Sequence, residues 1–236
     1  MGPTARARLP RRLRARLAAE GGFTLVELLM TMVILLIVVA SLSSVLVSAT
    51  HTQVDANNRF QAQEQARTGL AQLVRELHCA GSSTVPSITD TSGGTLTPGV
   101  AYNGITAYLP STCSTSGGQA LYVTWCTAAS TLKTGDYALY RVTSTSAPTS
   151  LAPLNCSSSG KRKWVDYLQP TAGVTPTWSY PFCLPSTTAS CGGVFKPSAS
   201  LPMLHVTMQV NLNGPTSTIQ RYNVVDDIAL RNGAHT

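Results

Sequence analysis

From Leu28 to Val47 the chain carries no charged side chain. As a helix rising 1.5 Å per residue, that run spans about 30 Å, the thickness of bilayer hydrocarbon. Ahead of it lie Arg6, Arg8, Arg11, Arg12, Arg14 and Arg16, and one acid, Glu27, sits at its mouth. A carboxylate inside such a segment costs roughly 2–4 kcal/mol on insertion scales, so it needs a partner or a function. Any fold for this chain must give the apolar run a non-aqueous environment and give Glu27 a reason to be there.

The basic character is local. Residues 1–22 hold six arginines and Glu20, 6 − 1 = +5, and the other 214 residues hold eleven Lys/Arg and nine Asp/Glu, 11 − 9 = +2, which together make the +7 of the whole chain. Without its leader the protein is nearly neutral, so global charge does not argue for nucleic acid. Past residue 80 the chain is rich in Ser, Thr, Gly and Pro and poor in charge. Its cysteines, Cys79, Cys113, Cys126, Cys156, Cys183 and Cys191, are even in number. Behind a membrane-directed N-terminus this favours disulfides in an oxidising exterior. Fifteen complete pairings are open; the most local candidates are Cys183–Cys191 and Cys113–Cys126. No Cys-x-x-Cys occurs and no His stands at ligand spacing from the cysteines, so no metal is expected.

Three readings of the N-terminus compete. A secretory signal peptide would need a shorter apolar core, with Val47-Ser48-Ala49 as its cleavage site. A plain signal anchor, basic end in the cytoplasm, accounts for orientation but leaves Glu27 unexplained. The third takes Gly22-Phe23-Thr24-Leu25-Val26-Glu27, with the basic leader before it and the apolar helix after it, as one signal. In this the chain resembles the type IV pilin and pseudopilin family. The resemblance implies cleavage by prepilin peptidase between Gly22 and Phe23, N-methylation of Phe23, and assembly through a segment that includes Thr24, Leu25 and Glu27. It also implies that Glu27 compensates the new N-terminal ammonium of a neighbouring subunit. Two charges leave water together far more cheaply than one.

The helical signal continues past the apolar run. Phe60, Ala66, Leu70, Leu73, Val74 and Leu77 form an apolar stripe, with Gln61, Gln63, Glu64, Gln65, Arg67 and Glu76 off it. Nothing between His51 and Asn58 breaks a helix, so Thr24 to Leu77 reads as one rod of about 80 Å, ended by Gly81. The segment Gln65-Ala66-Arg67 to Leu73-Val74-Arg75-Glu76-Leu77, and the ending Ala229-Leu230-Arg231-Asn232, resemble the J/W-type minor pilins and pseudopilins. Many major pilins carry a kinking proline midway along the apolar helix; here Ser41, Ser43 and Ser44 stand in that region.

After Gly81 the pattern is strand-like. Candidate strands are Val100–Leu109, Gln119–Trp125, Tyr137–Val142, Lys163–Leu168, Leu204–Val210 and Thr218–Leu230, the last two joined by a turn at Asn213-Gly214-Pro215. The segments Thr84–Pro98, Ser144–Gly160 and Pro170–Pro202 read as long loops stapled by cysteines. The expected fold is α+β, a long N-terminal helix packed on a C-terminal antiparallel sheet. Its divisions are a cleaved leader (1–22), an apolar transmembrane and assembly helix (23–50), its amphipathic continuation (51–80) and an extracellular β-rich domain (81–236).

No catalytic signature stands out. There is no Gly-x-Ser-x-Gly and no His-Glu-x-x-His, and Gly160-Lys161 lacks the upstream glycine of a phosphate loop. His51, His78, His205 and His235 are scattered, and Asp226-Asp227 reads as a surface turn. Lys161-Arg162-Lys163-Trp164 is the one run that could hold a phosphate backbone and stack a base, although Trp164 can equally pack inward from a strand. The expectation is a filament subunit of the minor type, not an enzyme, with no cofactor and no small-molecule substrate. Its partners would be other pilin subunits, prepilin peptidase and N-methyltransferase, the inner-membrane assembly platform, membrane lipid before assembly and, less directly, DNA. It would start in the inner membrane with its N-terminus cytoplasmic and end in a surface filament. The competing expectations are a signal-anchored extracellular binding domain that never polymerises and a DNA-uptake or type II secretion pseudopilin that contacts cargo.

Overall fold

A computed structural model of the chain describes residues 24–81, 88–113, 119–131, 135–169, 181–195, 202–211 and 222–231. One helix, α1 (Leu25–Cys79), and nine strands follow in sequence: β1 (Ile88–Asp90), β2 (Ala101–Tyr102), β3 (Gly104–Leu109), β4 (Leu121–Ala129), β5 (Tyr137–Ser144), β6 (Arg162–Leu168), β7 (Phe182–Cys183), β8 (Met203–Val210) and β9 (Tyr222–Ala229). The chain forms two compact units, Met1–Asp55 and Ala56–Thr236. The α+β reading, a long N-terminal helix with an antiparallel sheet and three disulfides, is what the structure shows.

In the first unit the described part is helix alone. From Leu25 to Val47 its large apolar side chains are about half exposed or more. The hydroxyls of Thr31, Ser41, Ser43, Ser44 and Thr50 each donate to a carbonyl three or four residues back, at 2.8–2.9 Å. A hydroxyl satisfied by its own helix needs no water, so these residues suit an apolar surrounding.

In the second unit α1 buries a single stripe of small and apolar residues, Ala62, Ala66, Gly69, Leu73, Glu76 and Leu77. Spacings of three and four place them on one face. Two residues depart from the sequence reading. Phe60 is 66 % exposed, so it lies outside the buried stripe, and Glu76, read as off the stripe, is 6 % exposed within it. Leu77 and Ala80 complete this face, and Gly81, at φ 100°, ends the helix in the left-handed conformation that glycine adopts without strain. Its N–H donates to the Tyr108 carbonyl at 2.7 Å, tying the helix end to β3.

The sheet runs β1-β3-β4-β5-β6-β8-β7-β2, with β9 paired along β8, and every pairing is antiparallel. The inner face, with Ile105, Val123, Trp125, Leu139, Val165 and Met208, joins the α1 stripe in one core. On the opposite face Cys126, Ala138, Tyr140, Val142 and Cys156 make a second, smaller cluster. Alternation along β4 and β5 sends neighbouring residues to these two cores.

Several strands differ from expectation. Val100–Leu109 is two strands, because the Asn103 carbonyl accepts from Thr127 N–H and hydroxyl and breaks the run there. β3 then pairs with β4, whereas β2 pairs with β7. β1 and β7 lie within segments read as loops; two or three residues are too few to show a period. The final strand is Tyr222–Ala229, and the turn at Asn213-Gly214-Pro215 lies outside the described residues, as does Thr218. Asp226 and Asp227 belong to β9 and not to a turn: they pair with Val206 and His205.

The disulfides are Cys79–Cys113, Cys126–Cys156 and Cys183–Cys191. The pairing Cys113–Cys126 is thereby replaced, and register explains why. Cys126 faces Gly104 at one end of β3, and Cys113 follows a turn beyond Leu109 at the other end. Five residues of strand separate the ends by about 17 Å, far beyond the roughly 7 Å a disulfide bridges. Cys113 instead lies where β3 meets the helix terminus, beside Cys79.

Candidate processing and assembly site

Gly22 and Phe23, the expected cleavage pair, lie outside the described residues. The residues that follow are built as a helix start. The Thr24 hydroxyl accepts the Glu27 N–H at 3.3 Å, and the Thr24 carbonyl accepts the Leu28 N–H at 3.2 Å. Thr24 is therefore the N-cap, and Glu27 stands at the third helical position, the spacing of a capping box. A carboxylate in the first turn also meets the positive end of the helix dipole, worth about 0.3–1 kcal/mol. The Thr-x-x-Glu spacing is itself a signature of a helix start, and in this sequence it overlaps the cleavage motif.

Beyond the cap, α1 contains an 18-residue window of mean hydropathy 2.7, none of it buried. By length and composition this helix can cross a membrane. Leu25 is 76 % exposed. An apolar surface of this extent is satisfied in lipid or against other apolar helices.

The basic run opens β6 and is largely committed to its own domain. The Lys161 ammonium donates to the Cys156 carbonyl at 2.9 Å and lies 5.0 Å from the Tyr140 ring centre. Lys163 pairs with Asp166. Arg162 lies 5.5 Å over the Trp164 ring and is exposed. Trp164 packs against the core, with its ring centre 5.7 Å from that of Trp125. Burial works to raise the Asp166 carboxyl, but bonds from Lys163, Ser130 and the Tyr167 N–H outweigh it and hold that carboxyl below its usual range.

Two polar constellations escaped the sequence reading. The first joins helix to sheet: Glu76 Oε2 accepts the Trp125 indole N–H at 2.8 Å, and Oε1 accepts Arg141 Nε and Nη2 at 2.9 Å and Gln72 Nε2 at 2.7 Å. The second links Asp227 to His205 Nδ1 at 2.7 Å and His205 Nε2 to the Thr207 hydroxyl at 2.9 Å. Its order is that of an acid–histidine–hydroxyl relay. A reacting carbonyl must come within about 3 Å of the hydroxyl, whereas Thr207 is 6 % and His205 4 % exposed, so the relay serves the β8–β9 ladder. Of the other histidines, His51 is exposed and His78 half-buried on α1, and His235 lies outside the described residues. Among the described residues no group of three or more His, Cys, Asp or Glu side chains is arranged to hold a metal.

The model of the prokaryotic N-terminal methylation motif matches residues 17–43. The match takes in the end of the leader, the Gly22-Phe23 pair, the capped helix start and most of the apolar run. It supports a type IV pilin-like chain that is processed by prepilin peptidase and anchored in the membrane by one helix. No curated protein and no solved structure matches the chain.

Proposed function

We propose that the chain is a minor pilin or pseudopilin, a structural subunit of a type IV filament machine. The observation that carries the reading is the methylation-motif match over residues 17–43, set on a capped helix whose apolar surface is exposed. The precursor sits in the cytoplasmic membrane with its arginine-rich end inside, following the positive-inside rule. Prepilin peptidase cuts after Gly22, Phe23 is N-methylated, and the assembly platform moves the subunit from lipid into a filament. There the apolar helix packs on those of its neighbours, and Glu27 meets the ammonium of an adjacent subunit. The work is assembly and not catalysis. Ser41, Ser43 and Ser44 in place of a kinking proline, together with the stapled loops, favour a minor subunit of the J/W type.

A second reading has its own observation. Glu27 stands in the first turn behind the Thr24 cap, where its charge meets the helix dipole; that gives the acid a local role, which fits a signal-anchored binding domain that never polymerises. Intact mass and N-terminal sequencing of protein from membranes and from sheared surface filaments separate the two. A chain starting at methylated Phe23 in the sheared fraction is the expected result; one starting at Met1 or after Ala49 overturns the pilin reading. Glu27→Gln keeps a polar group at the cap but removes the charge. It is expected to insert in the membrane yet leave the filament fraction, and normal incorporation would remove the charge-pairing role.

A further inference from the structure

Within the second unit, the helix face beside the buried stripe lines a groove of about 520 Å³ that runs along α1 toward β9. Leu70, Ala71 and Val74 form its apolar floor, and Arg67 and Arg75 stand along it on the helix side. The two arginines are eight residues apart, 75 − 67, a rise of about 12 Å or just over two turns. Among the described residues, neither charge is neutralised in its hydrogen bonds. Arg67 donates to the Tyr222 hydroxyl at 3.0 Å and lies 5.7 Å over that ring, and Arg75 donates to the Gln72 side-chain carbonyl. Both of these partners are neutral, and the exposed Glu64 acts on Arg67 only through space, so two exposed guanidiniums face whatever occupies the groove. Asp226, from β9, contributes the one carboxylate of the lining.

We propose that this groove is the docking surface for an acidic amphipathic helix of a different protein. An apolar floor at helical spacing takes the apolar stripe of a helix laid into it. Two guanidiniums about two turns apart, hydrogen-bonded only to neutral groups among the described residues, select carboxylates at matching spacing, seven or eight residues apart on the incoming helix. Asp226 on the strand side repels those carboxylates and so directs them to the α1 side. A second copy does not meet the requirement. Beyond the apolar run, the exposed or half-exposed acids of α1 are Asp55 and Glu64, since Glu76 is buried. They are nine residues apart, 64 − 55, which at about 100° per residue places them on opposite faces. Nothing in this groove depends on cleavage at Gly22.

The test uses the full chain in detergent micelles and three labelled synthetic helices of one sequence. All three carry a leucine stripe, with Glu, Gln or Lys at two positions eight apart, and binding is read by fluorescence anisotropy. The Glu helix is expected to bind at least about tenfold tighter than the Gln helix, and less tightly as salt rises. Arg67→Glu/Arg75→Glu should lose the Glu helix and gain the Lys helix, and Asp226→Asn should tighten the Glu helix. Arg75→Glu alone guards against misfolding, because among the described residues Arg75 bonds only its neighbour Gln72. Equal binding of the Glu and Gln helices, no binding, or variants that behave like the parent would overturn the proposal. So would self-association of the full chain that is abolished by the double variant, which would assign the groove to a second copy.

Discussion

Glu76 shows how one side chain can hold two layers together. It leaves α1 on the buried face, 6 % exposed, and its two oxygens collect the Trp125 indole and the Arg141 guanidinium from adjacent strands β4 and β5. A buried carboxylate is tolerated because each oxygen is bonded and the charge is matched. Removing it leaves Arg141, 17 % exposed, and the Trp125 N–H, fully buried, without their acceptor. Glu76→Ala is therefore expected to lower stability by about 3 kcal/mol, within the range for breaking a buried pair. Urea unfolding followed by tryptophan fluorescence measures it, and a loss under about 1 kcal/mol would mean that water replaces the carboxylate. At position 27 the same residue type does something else: exposed in the first turn, it has its N–H on Thr24 and its charge on the helix dipole. Composition does not distinguish the two glutamates. Position 27 declared itself through the apolar run that follows, whereas position 76 sits in a polar-looking sequence and shows its role only when β4 and β5 arrive beside it.

At the scale of elements, the contact between α1 and β6 turns on Gly69. A methyl group at this position would come within 2.4 Å of Val165 Cγ2, closer than any real contact. A glycine inside a helix costs about 1 kcal/mol relative to alanine, and here it is kept because only a bare backbone lets the strand this close. β6 is also bulged where it meets the helix: its register against β5 shifts twice, around Trp164 and between Val165 and Leu168. Gly69→Ala is expected to destabilise by about 1–2 kcal/mol despite its better helix propensity, the overpacking outweighing the gain. Val165→Ala in the same chain removes the offending methyl, and the double variant should recover most of the Gly69→Ala loss. A double-mutant cycle by thermal unfolding reads the coupling, and strict additivity would show that the two residues do not meet. The bulge was not legible beforehand, because Lys163–Leu168 alternates well enough to pass for a regular strand. The helix was legible throughout, since a period of three and four survives even where one apolar member, Phe60, turns out to face away.

At the scale of the molecule, three disulfides fasten the helix end and two strands to the segments that run beside them. Cys79–Cys113 closes 34 residues, Cys126–Cys156 closes 30 and Cys183–Cys191 closes 8. On the loop-entropy model these contribute about 3.8, 3.6 and 2.5 kcal/mol. Replacing both cysteines of the first or second bridge by serine should therefore cost roughly 1 kcal/mol more than doing so at the third. Calorimetry of the three double variants tests the order, and a Cys183/Cys191 variant that proves the least stable would reverse it. Cys79–Cys113 also ties the end of α1 to the turn after β3, where Gly81 bonds Tyr108.

By itself the sequence determined whatever depends on neighbours along the chain. A charge-free run of bilayer length, a basic leader, a Gly-Phe-Thr-Leu-Val-Glu junction and a glycine helix stop are local patterns, read by solvent, lipid or a peptidase without reference to the fold. Tertiary structure decided what depends on residues far apart in sequence. It chose which cysteines meet, by setting Cys113 and Cys126 at opposite ends of β3. It put Glu76 inside and Phe60 outside, by fixing where the sheet covers the helix. It placed Asp226 in an edge strand that lines one groove with Arg67, and so created a charged groove between residues more than a hundred positions apart. Local pattern says what a segment prefers; only closure of the sheet on the helix says which of those preferences meet.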